Sequence, residues 1–387
     1  MKQLSIALVA GARPNFMKVA PLFHALSGRK ESARKAGIDL RVSIVHTGQH
    51  YDPNMSDIFF RELGMPAPDR HLDVGSGSHA EQTAKIMVAF EKVLLADRPD
   101  LVVVVGDVNS TVACSLTAKK LGIRVAHVEA GLRSFDTGMP EEINRKLTDA
   151  ISDLLFVTEE SGARNLRNEG VPKERVFLVG NVMIDTLRRN LSRIEDGNFA
   201  PSPPVAAFFN GKKRYGVLTL HRPSNVDTRE ALSPVWGALS EVARQLPILF
   251  PVHPRTRARI ESFGLSGNGI AMIDPVGYLD MLYAVKGAAI VLTDSGGLQE
   301  ETTALGVHCV TIRENTERPV TVEQGTNYLV GTDPAAILAA SAEILSGRGK
   351  KGSVPPLWDG HAAERIADIL LRTETAEQGQ TAEQGRS

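Results

Sequence analysis

The chain has 387 residues, enough for two domains of ordinary size. Lys and Arg total 44 against 45 acidic residues, and this balance argues against a nucleic-acid-binding protein, which usually carries a basic surplus. The first apolar run ends at Arg13 and is too short for a signal peptide or a membrane span. Cys114 and Cys309 lie far apart in the sequence, each in an apolar segment. This placement is typical of small buried residues in a protein of a reducing compartment. We therefore expect a cytoplasmic protein.

Short apolar runs recur along the chain, and segments with apolar residues at helical spacing, such as 79–97, separate them. Continuous Val, Ile and Leu runs are typical of strands buried on both faces of a parallel sheet. A first series of strands is predicted at 4–11, 40–48, 101–107, 124–131, 154–159 and 175–181, and a second at 215–222, 247–253, 269–275, 289–295 and 309–314. The pattern predicts two doubly wound, Rossmann-like α/β domains.

The predicted domains are residues 1–180 and 181–359. Their join is expected near 180–190 and the Pro-rich stretch 199–208, because Pro-rich segments with little periodicity are typical of linkers. The polar tail 374–387 repeats TAEQG and is predicted to be disordered.

Polar residues collect where the predicted strands end. The motifs that follow the strands include GARPNFMK, TGQH, GDVNST, HVEAGLR, TLHRPSN, PVHP, TDSGG and IRENTERP. Ligands of open parallel sheets bind at the carboxyl ends of the strands. Two such domains facing each other would line an interdomain cleft with both sets of polar residues.

The stretch HVEAGLRSFDTGMPEEINRK, residues 127–146, is unusually rich in charge for the end of an apolar strand. It contains Glu129, Glu141 and Glu142 with two arginines among them. Such a run is unfavourable unless the carboxylates have a function or partners.

Two of the motifs are suited to anions. In GARPNFMK, Arg13 and Lys18 at a helix entry could hold a phosphate, although they could also be surface cations. In TDSGGLQEE, Gly296 and Gly297 would let a ligand approach a helix N-terminus that favours negative charge. Glu301 could accept hydrogen bonds from ribose hydroxyls or simply interact with the helix dipole.

Other strand-end residues have a functional and a structural interpretation. Asp107 could be catalytic or a helix N-cap, His221 could be structural or face a ligand, and Arg318 could pair with a diphosphate. GxGxxG after a strand and GxSxG are absent from the sequence, and the histidines are scattered along it without a His-Cys ligand set. The sequence therefore predicts no nicotinamide cofactor, no metal and no serine hydrolase.

Taken together, these motifs resemble the non-hydrolysing UDP-N-acetylglucosamine 2-epimerase family from residue 11 to about residue 370. The matching motifs are GARP, GD at 106–107, HVEAGLR, PEEINR at 140–145, GN-x-x-ID at 180–185, HR at 221–222, PVH at 251–253, TDSGGLQEE and TERP. The resemblance implies a two-domain fold like that of the GT-B glycosyltransferases, with UDP bound by the C-terminal domain. It also implies a last helix, here about 360–373, that packs back on the N-terminal domain.

The resemblance implies that the enzyme inverts C2 of a UDP-amino sugar by eliminating UDP and adding it back through a glycal, without a cofactor. Inversion needs acid/base groups on both faces of C2, and carboxylates can serve when their pKa is tuned. The residues that match the family's catalytic groups are Asp107, Glu129, Glu141 and His221, with His221 stabilising the departing diphosphate. The residues implied in UDP binding are Arg13, Lys18, Ser295, Gly296, Gly297, Glu301 and Arg318. A homodimer is also expected.

Departures from the family pattern affect the substrate and the regulation. GARPN replaces the common GTRPE, as in members that act on other UDP-amino sugars such as a UDP-2,3-diacetamido-glucuronic acid. A second, activating site of the family is matched by Gln49, His50 and His253. The arginines expected around it are missing, since Pro223 and Ser224 follow Arg222, so we predict no obligatory activation by UDP-N-acetylglucosamine.

Three other functions remain open on the sequence. A hydrolysing 2-epimerase would release UDP and N-acetylmannosamine after the same elimination. A GT-B glycosyltransferase would pass the sugar to an acceptor, and a non-catalytic nucleotide-sugar-binding protein would only bind it. The carboxylates Asp107, Glu129 and Glu141 favour an epimerase.

Overall fold

The computed structural model of the chain describes residues 1–48, 63–211 and 214–384, with side chains except at 13, 14 and beyond 373. These residues form two compact units. Unit 1 is residues 1–186 together with 356–387, and unit 2 is residues 187–355. The sequence placed the boundary at residue 180, and the division found here lies inside a helix that begins at Val182.

Unit 1 contains a seven-stranded parallel sheet in the order β3-β2-β1-β4-β5-β6-β7. Its strands are β1 (Lys2–Ala10), β2 (Ile38–His46), β3 (Arg70–His71), β4 (Leu101–Val105), β5 (Arg124–Ala130), β6 (Leu154–Val157) and β7 (Val176–Leu178). Every residue of β4 is buried, as its unbroken LVVVV sequence requires.

Helices connect the strands of unit 1. They are α1 (Arg13–Gly28), α2 (Lys30–Lys35), α3 (His79–Asp97), α4 (Asn109–Lys120), α5 (Pro140–Ile151), α6 (Glu160–Asn168) and α7 (Val182–Glu195), which continues into unit 2, with a 3₁₀ turn at Lys173–Arg175. Ser78 and Glu81 form a capping box that starts α3. The helix then packs Ile86, Phe90 and Leu94 against the sheet core.

Unit 2 repeats this arrangement with a six-stranded parallel sheet in the order β10-β9-β8-β11-β12-β13. Its strands are β8 (Gly216–Thr219), β9 (Ile248–Pro251), β10 (Ile270–Ile273), β11 (Ile290–Thr293), β12 (Cys309–Thr311) and β13 (Asn327–Leu329). Its helices are α8 (Pro203–Phe209), α9 (Pro223–Val226), α10 (Arg229–Gln245), α11 (Pro254–Ser262), α12 (Tyr278–Lys286), α13 (Gly296–Leu305), α14 (Pro319–Glu323) and α15 (Pro334–Leu345). The predicted fold class, two doubly wound α/β domains, is confirmed.

The chain returns to unit 1 before its last helix, α16 (Ala362–Gln384). The indole of Trp358, 1% exposed, donates to the Thr158 carbonyl at 3.1 Å. The carboxylate of Asp185 accepts from the amides of Ala362 (3.1 Å) and Ala363 (2.7 Å), which satisfies two of the free N–H groups at the start of α16. Arg29, between α1 and α2, forms an ion pair with Asp368.

The last helix extends further than the sequence indicated. Disorder was predicted from residue 374, whereas the helix continues to Gln384. Ala, Glu and Gln, which dominate this segment, have high helix propensity, and propensity extends a helix that packing has already started. No helix in the described ranges is long and apolar enough to cross a membrane.

Candidate functional site

The turn between β1 and α1 is tied to the end of β4. Asn15 accepts a hydrogen bond from the Ala12 amide at 2.8 Å and donates to the Val105 carbonyl at 3.0 Å. Lys18, 8% exposed, lies one turn further along α1 and forms an ion pair with Glu129. Arg13 begins α1, but its side chain lies outside the described part of the structure.

Glu129 lies in a β-bulge near the end of β5. The register between β5 and β6 shifts between Val128 and Ala130, and Glu129 has φ of +71°. A left-handed conformation is strained for a residue with a side chain, and bulges near active sites redirect side chains. One carboxylate oxygen of Glu129 contacts Lys18, while Oε1 is buried and has no hydrogen-bond partner among the described residues. This oxygen is available to a ligand.

Asp107 is held by α5. The Arg145 guanidinium donates to its carboxylate at 2.6 Å, and the Asn144 amide donates to its backbone carbonyl at 2.9 Å. Asp107 does not cap α4, whose N-cap is Val108. Its side chain is 31% exposed, so the carboxylate has a paired side and an accessible side.

The two glutamates at the start of α5 have different environments. Glu142 is fully buried and accepts hydrogen bonds from the Ser134 amide (2.9 Å), the Ser134 hydroxyl (3.0 Å) and the Phe135 amide (3.2 Å), besides pairing with Arg145. Burial opposes its ionisation, yet the Ser134 and Arg145 contacts lower the pKa of Glu142. Glu141 is half-buried and forms no ion pair or hydrogen bond with any described residue. The carboxylate of Glu142 is therefore fully engaged within the protein, whereas that of Glu141 is not.

In unit 2, Asp294 organises the turn that follows β8. Its buried carboxylate accepts from the amides of His221 (2.9 Å) and Arg222 (2.8 Å), and it contacts Nδ1 of His221 at 3.0 Å. Burial would raise the pKa of Asp294, but the His221 imidazole and these amides hold it below the usual value. The His221 side chain is 54% exposed, so Asp294 orients a ring whose other edge can face a ligand.

The start of α13 is suited to an anion. Ser295 is the N-cap but its side chain caps no amide, so the first amides of the helix lack that partner. A Cβ at Gly296 would lie 2.9 Å from Nη1 of Arg318, so glycine lets the guanidinium approach this turn. Arg318 is 7% exposed and pairs with Glu300 at 2.7 Å and with Glu317. Gly297 has open space where its Cβ would be.

Glu301 is a buried carboxyl group in the same helix, near the Tyr278 hydroxyl. Burial raises its pKa from the usual 4.5 to about 7, the nearby Tyr278 hydroxyl opposes this shift, and the charge of Glu300 adds to it. Near neutral pH this group is therefore close to half-protonated, poised either to donate to or to accept from a hydroxyl.

Replacing Glu301 by Gln is expected to remove a pH dependence from the free energy of unfolding. The carboxyl binds its proton more tightly in the folded state, so its stabilising contribution is present below about pH 4.5 and is lost as the pH rises through 7. This loss should be on the order of 3 kcal/mol in the wild type. Urea unfolding between pH 5 and 8 measures it, with Glu323→Gln, at an exposed position, as the control. An unchanged slope in Glu301→Gln would contradict the assignment.

A cavity of about 310 Å³ opens beside these groups within unit 2. Its lining is Thr219, Leu220, His221, Pro251, His253, Pro275, Val276, Met281, Ser295 and Leu298. The cavity thus joins His221 and Ser295 to His253, which the sequence had grouped with Gln49 and His50. Those two residues lie outside the described ranges.

In unit 1, Lys18 therefore contacts Glu129, and Asp107 contacts the helix that carries Glu141. In unit 2, His221 and Ser295 line one cavity, Gly296 lies against Arg318, and Glu301 belongs to the helix that begins at Gly296. Three residues that contact candidate site residues were not identified from the sequence: Arg145, Tyr278 and Asp294. Asp294 had a usable signal, since it directly follows an apolar strand. Arg145 and Tyr278 gave none, because their partners Asp107 and Glu301 are distant in sequence.

Comparison with known proteins places this geometry in a family. The family model for UDP-N-acetylglucosamine 2-epimerase matches residues 31–371. A UDP-N-acetylglucosamine 2-epimerase of Methanocaldococcus jannaschii is 44% identical over 377 residues, covering 95% of this chain and 99% of the relative. A UDP-2,3-diacetamido-2,3-dideoxy-D-glucuronate 2-epimerase of Pseudomonas aeruginosa is 40% identical over 372 residues, covering 95% of this chain and all of the relative.

The solved structures agree with the sequence relatives. The crystal structure of the Methanocaldococcus jannaschii UDP-GlcNAc 2-epimerase in complex with UDP-GlcNAc and UDP has a TM-score of 0.83 and 43% identity, covering 95% of this chain and 99% of that chain. Similarity of this extent in both sequence and fold establishes the family. This chain belongs to the UDP-N-acetylglucosamine 2-epimerase family.

Proposed function

We propose that the protein is a non-hydrolysing 2-epimerase of a UDP-2-acetamido sugar. The observation that carries the proposal is Glu129, a buried carboxylate on a strained bulge with one oxygen that has no hydrogen-bond partner among the described residues. Epimerisation at C2 needs groups that remove and deliver a proton. Backbone strain at a carboxylate with an unsatisfied oxygen is typical of a catalytic position.

The reaction needs two proton transfers and one reversible bond cleavage. A base removes the proton from C2 while the C1–O bond to UDP breaks, which leaves a glycal with a C1=C2 double bond. An acid then delivers a proton to the opposite face of C2, and a diphosphate oxygen bonds again to C1. Nothing is oxidised or reduced overall, so we assign no cofactor.

The carboxylates Asp107, Glu129 and Glu141 are assigned to these proton transfers. They lie on three different segments, the turn after β4, the bulge of β5 and the first turn of α5. Separate segments suit a reaction in which proton donors and acceptors must approach both faces of one carbon.

Unit 2 is assigned to the UDP moiety. The start of α13 with Arg318 suits the diphosphate, Glu301 suits the ribose hydroxyls, and the apolar cavity suits the uracil ring. His221, oriented by Asp294, is assigned to the charge that develops on the departing diphosphate. Arg13 and Lys18 are further candidate ligands of the phosphates.

The substrate class is a UDP-sugar with an acetamido group at C2. UDP-N-acetylglucosamine and UDP-2,3-diacetamido-2,3-dideoxy-D-glucuronate are the substrates named for relatives at 44% and 40% identity, and they share this group. We propose UDP-N-acetylglucosamine or a close derivative as substrate, a cytoplasmic location and a homodimer.

Proton NMR of UDP-N-acetylglucosamine incubated with the protein in D₂O is the decisive experiment. We expect deuterium at C2 and a manno-configured product that still carries UDP. Free N-acetylmannosamine with UDP would identify a hydrolysing enzyme instead. If no exchange occurs, the same assay with the diacetamido-glucuronate derivative separates another substrate from a glycosyltransferase, which needs an acceptor.

A further inference from the structure

A buried chain of charged and polar groups lies behind the acid/base carboxylates, and the proposed mechanism does not use it. We propose that Asp149, through His127 and Gly131, fixes the two turns that carry Asp107 and Glu129, and is therefore a positioning residue for the proton transfers. This inference rests on the proposed function and adds a residue that touches no substrate.

Asp149 uses both of its carboxylate oxygens. Oδ1 lies 2.7 Å from Nδ1 of His127, and Oδ2 accepts from the Gly131 amide at 3.0 Å and from the Arg133 guanidinium at 2.8 Å. Asp149 is 1% exposed, and His127 is fully buried. These contacts join α5 to both sides of the bulge, because Glu129 lies midway between His127 and Gly131.

His127 extends the connection to the second turn. Its Nε2 lies 2.8 Å from the carbonyl oxygen of Gly106, the residue before Asp107. A carbonyl oxygen can only accept, so Nε2 donates to it, while Nδ1 faces the Asp149 carboxylate. Gly106 in turn donates its amide to the Val128 carbonyl at 3.0 Å. One carboxylate thereby fixes the backbone on either side of both catalytic candidates.

The backbone that is held this way is left-handed at three positions, and it is strained at the one that is not glycine, Glu129. Gly106, Glu129 and Gly131 have φ of +68°, +71° and +78°. A Cβ at Gly131 would lie 2.4 Å from the Gly162 carbonyl oxygen, so the turn also packs tightly against α6. A non-glycine residue in the left-handed region persists only when its surroundings over-determine it, and the Asp149 contacts on both sides supply that constraint.

Asp149 is ionised despite its burial. Burial alone would raise its pKa, but His127 and Arg133 outweigh burial and hold the pKa of Asp149 below its usual value. The charge of Arg133 is shared with Glu169 at 2.6 Å, so the cation stays paired if Asp149 is neutralised. An Asp149→Asn variant therefore weakens the connection, because one carbonyl oxygen replaces two carboxylate oxygens, and it leaves no unpaired buried guanidinium.

The test compares Asp149→Asn with Asp153→Asn. Asp153 makes the same kind of contacts at the opposite end of β5, accepting from the Val125 amide at 2.8 Å and from Lys119 at 2.7 Å. We expect kcat of Asp149→Asn to fall roughly tenfold through misplacement of the carboxylates. The KM for the UDP-sugar and the UDP affinity should stay within about twofold, because Asp149 contacts none of the residues assigned to UDP. Asp153→Asn should keep the wild-type kcat even if its Tm falls.

The possible outcomes distinguish a positioning role of Asp149 from a purely stabilising role. They also distinguish both from a failure of the proposed function. Equal kcat losses in both variants, or wild-type kcat in Asp149→Asn, would overturn the positioning role. If Asp149→Asn does not fold, His127→Gln decides, because a reduced kcat with unchanged UDP affinity supports the role and wild-type kcat refutes it. A wild-type protein that binds UDP but never exchanges the C2 proton of either UDP-sugar would instead refute the proposed function.

Discussion

Replacing Glu129 by Gln is expected to lower turnover by about 100-fold or more, the usual effect of losing acid/base catalysis by one group. The amide keeps nearly the same shape and can still accept from Lys18, but it cannot exchange a proton. Initial rates of C2 deuterium exchange in D₂O measure the effect. UDP affinity, measured by calorimetry, should change much less than turnover, because most of the groups assigned to UDP lie in unit 2. Near-wild-type exchange would remove Glu129 from the acid/base group.

A second variant separates catalysis from folding at this position. Lys18 is buried and loses its charged partner in Glu129→Gln, and removing one member of a buried ion pair is strongly destabilising. Adding Lys18→Met should restore Tm, since replacing both charges is often neutral for stability. Turnover should remain low in the double variant. Recovery of both properties together would show that stability alone caused the loss.

Replacing Arg318 by Ala is expected to weaken UDP binding by about 100-fold, because hydrogen bonds from a guanidinium to a charged group contribute about 1.5 to 3 kcal/mol. Tm should also fall near neutral pH, since Glu300 and Glu317 would lose a buried cation. Isothermal calorimetry with UDP and with uridine is the measurement. Uridine has no diphosphate, so its affinity should change little.

Two controls make the Arg318 result specific. Arg257→Ala removes a cation of the same unit that pairs with the exposed Asp274, and it should leave UDP affinity unchanged. Arg318→Lys keeps the charge but loses the two-pronged geometry, so its affinity should be intermediate. A parallel loss of UDP and uridine affinity in Arg318→Ala would indicate a collapsed pocket and contradict a diphosphate contact.

The sequence predicted the sheets well, because strands buried on both faces need long apolar runs. Among the described residues, two strands were not predicted from the sequence. They are β3, with the sequence Arg-His, and β13, with Asn-Tyr-Leu. Both lie at an edge of their sheet, where two or three residues pair with a single neighbour. Segments this short carry no periodicity, and their pairing depends on the neighbouring strand.

The location of the candidate site was also predictable, since polar residues at strand ends mark the ligand edge of a parallel sheet. The pairing of those residues was not. Nothing in PEEINR distinguishes Glu141 from Glu142, whereas in the structure only Glu142 accepts the Ser134 and Phe135 amides. The bulge at Glu129 was equally invisible, because it is defined by the register with β6.

The position of Trp358 in unit 1 has a consequence for the order in which the two units can complete folding during synthesis. Unit 2 is one continuous segment, so all of its residues leave the ribosome before those of the returning segment do. Unit 1 begins first but cannot bury Trp358 or satisfy Asp185 until the last residues are synthesised. Unit 1, although its first segment precedes unit 2, is thus the later of the two to complete its core, and until then its incomplete surface is exposed to chaperones.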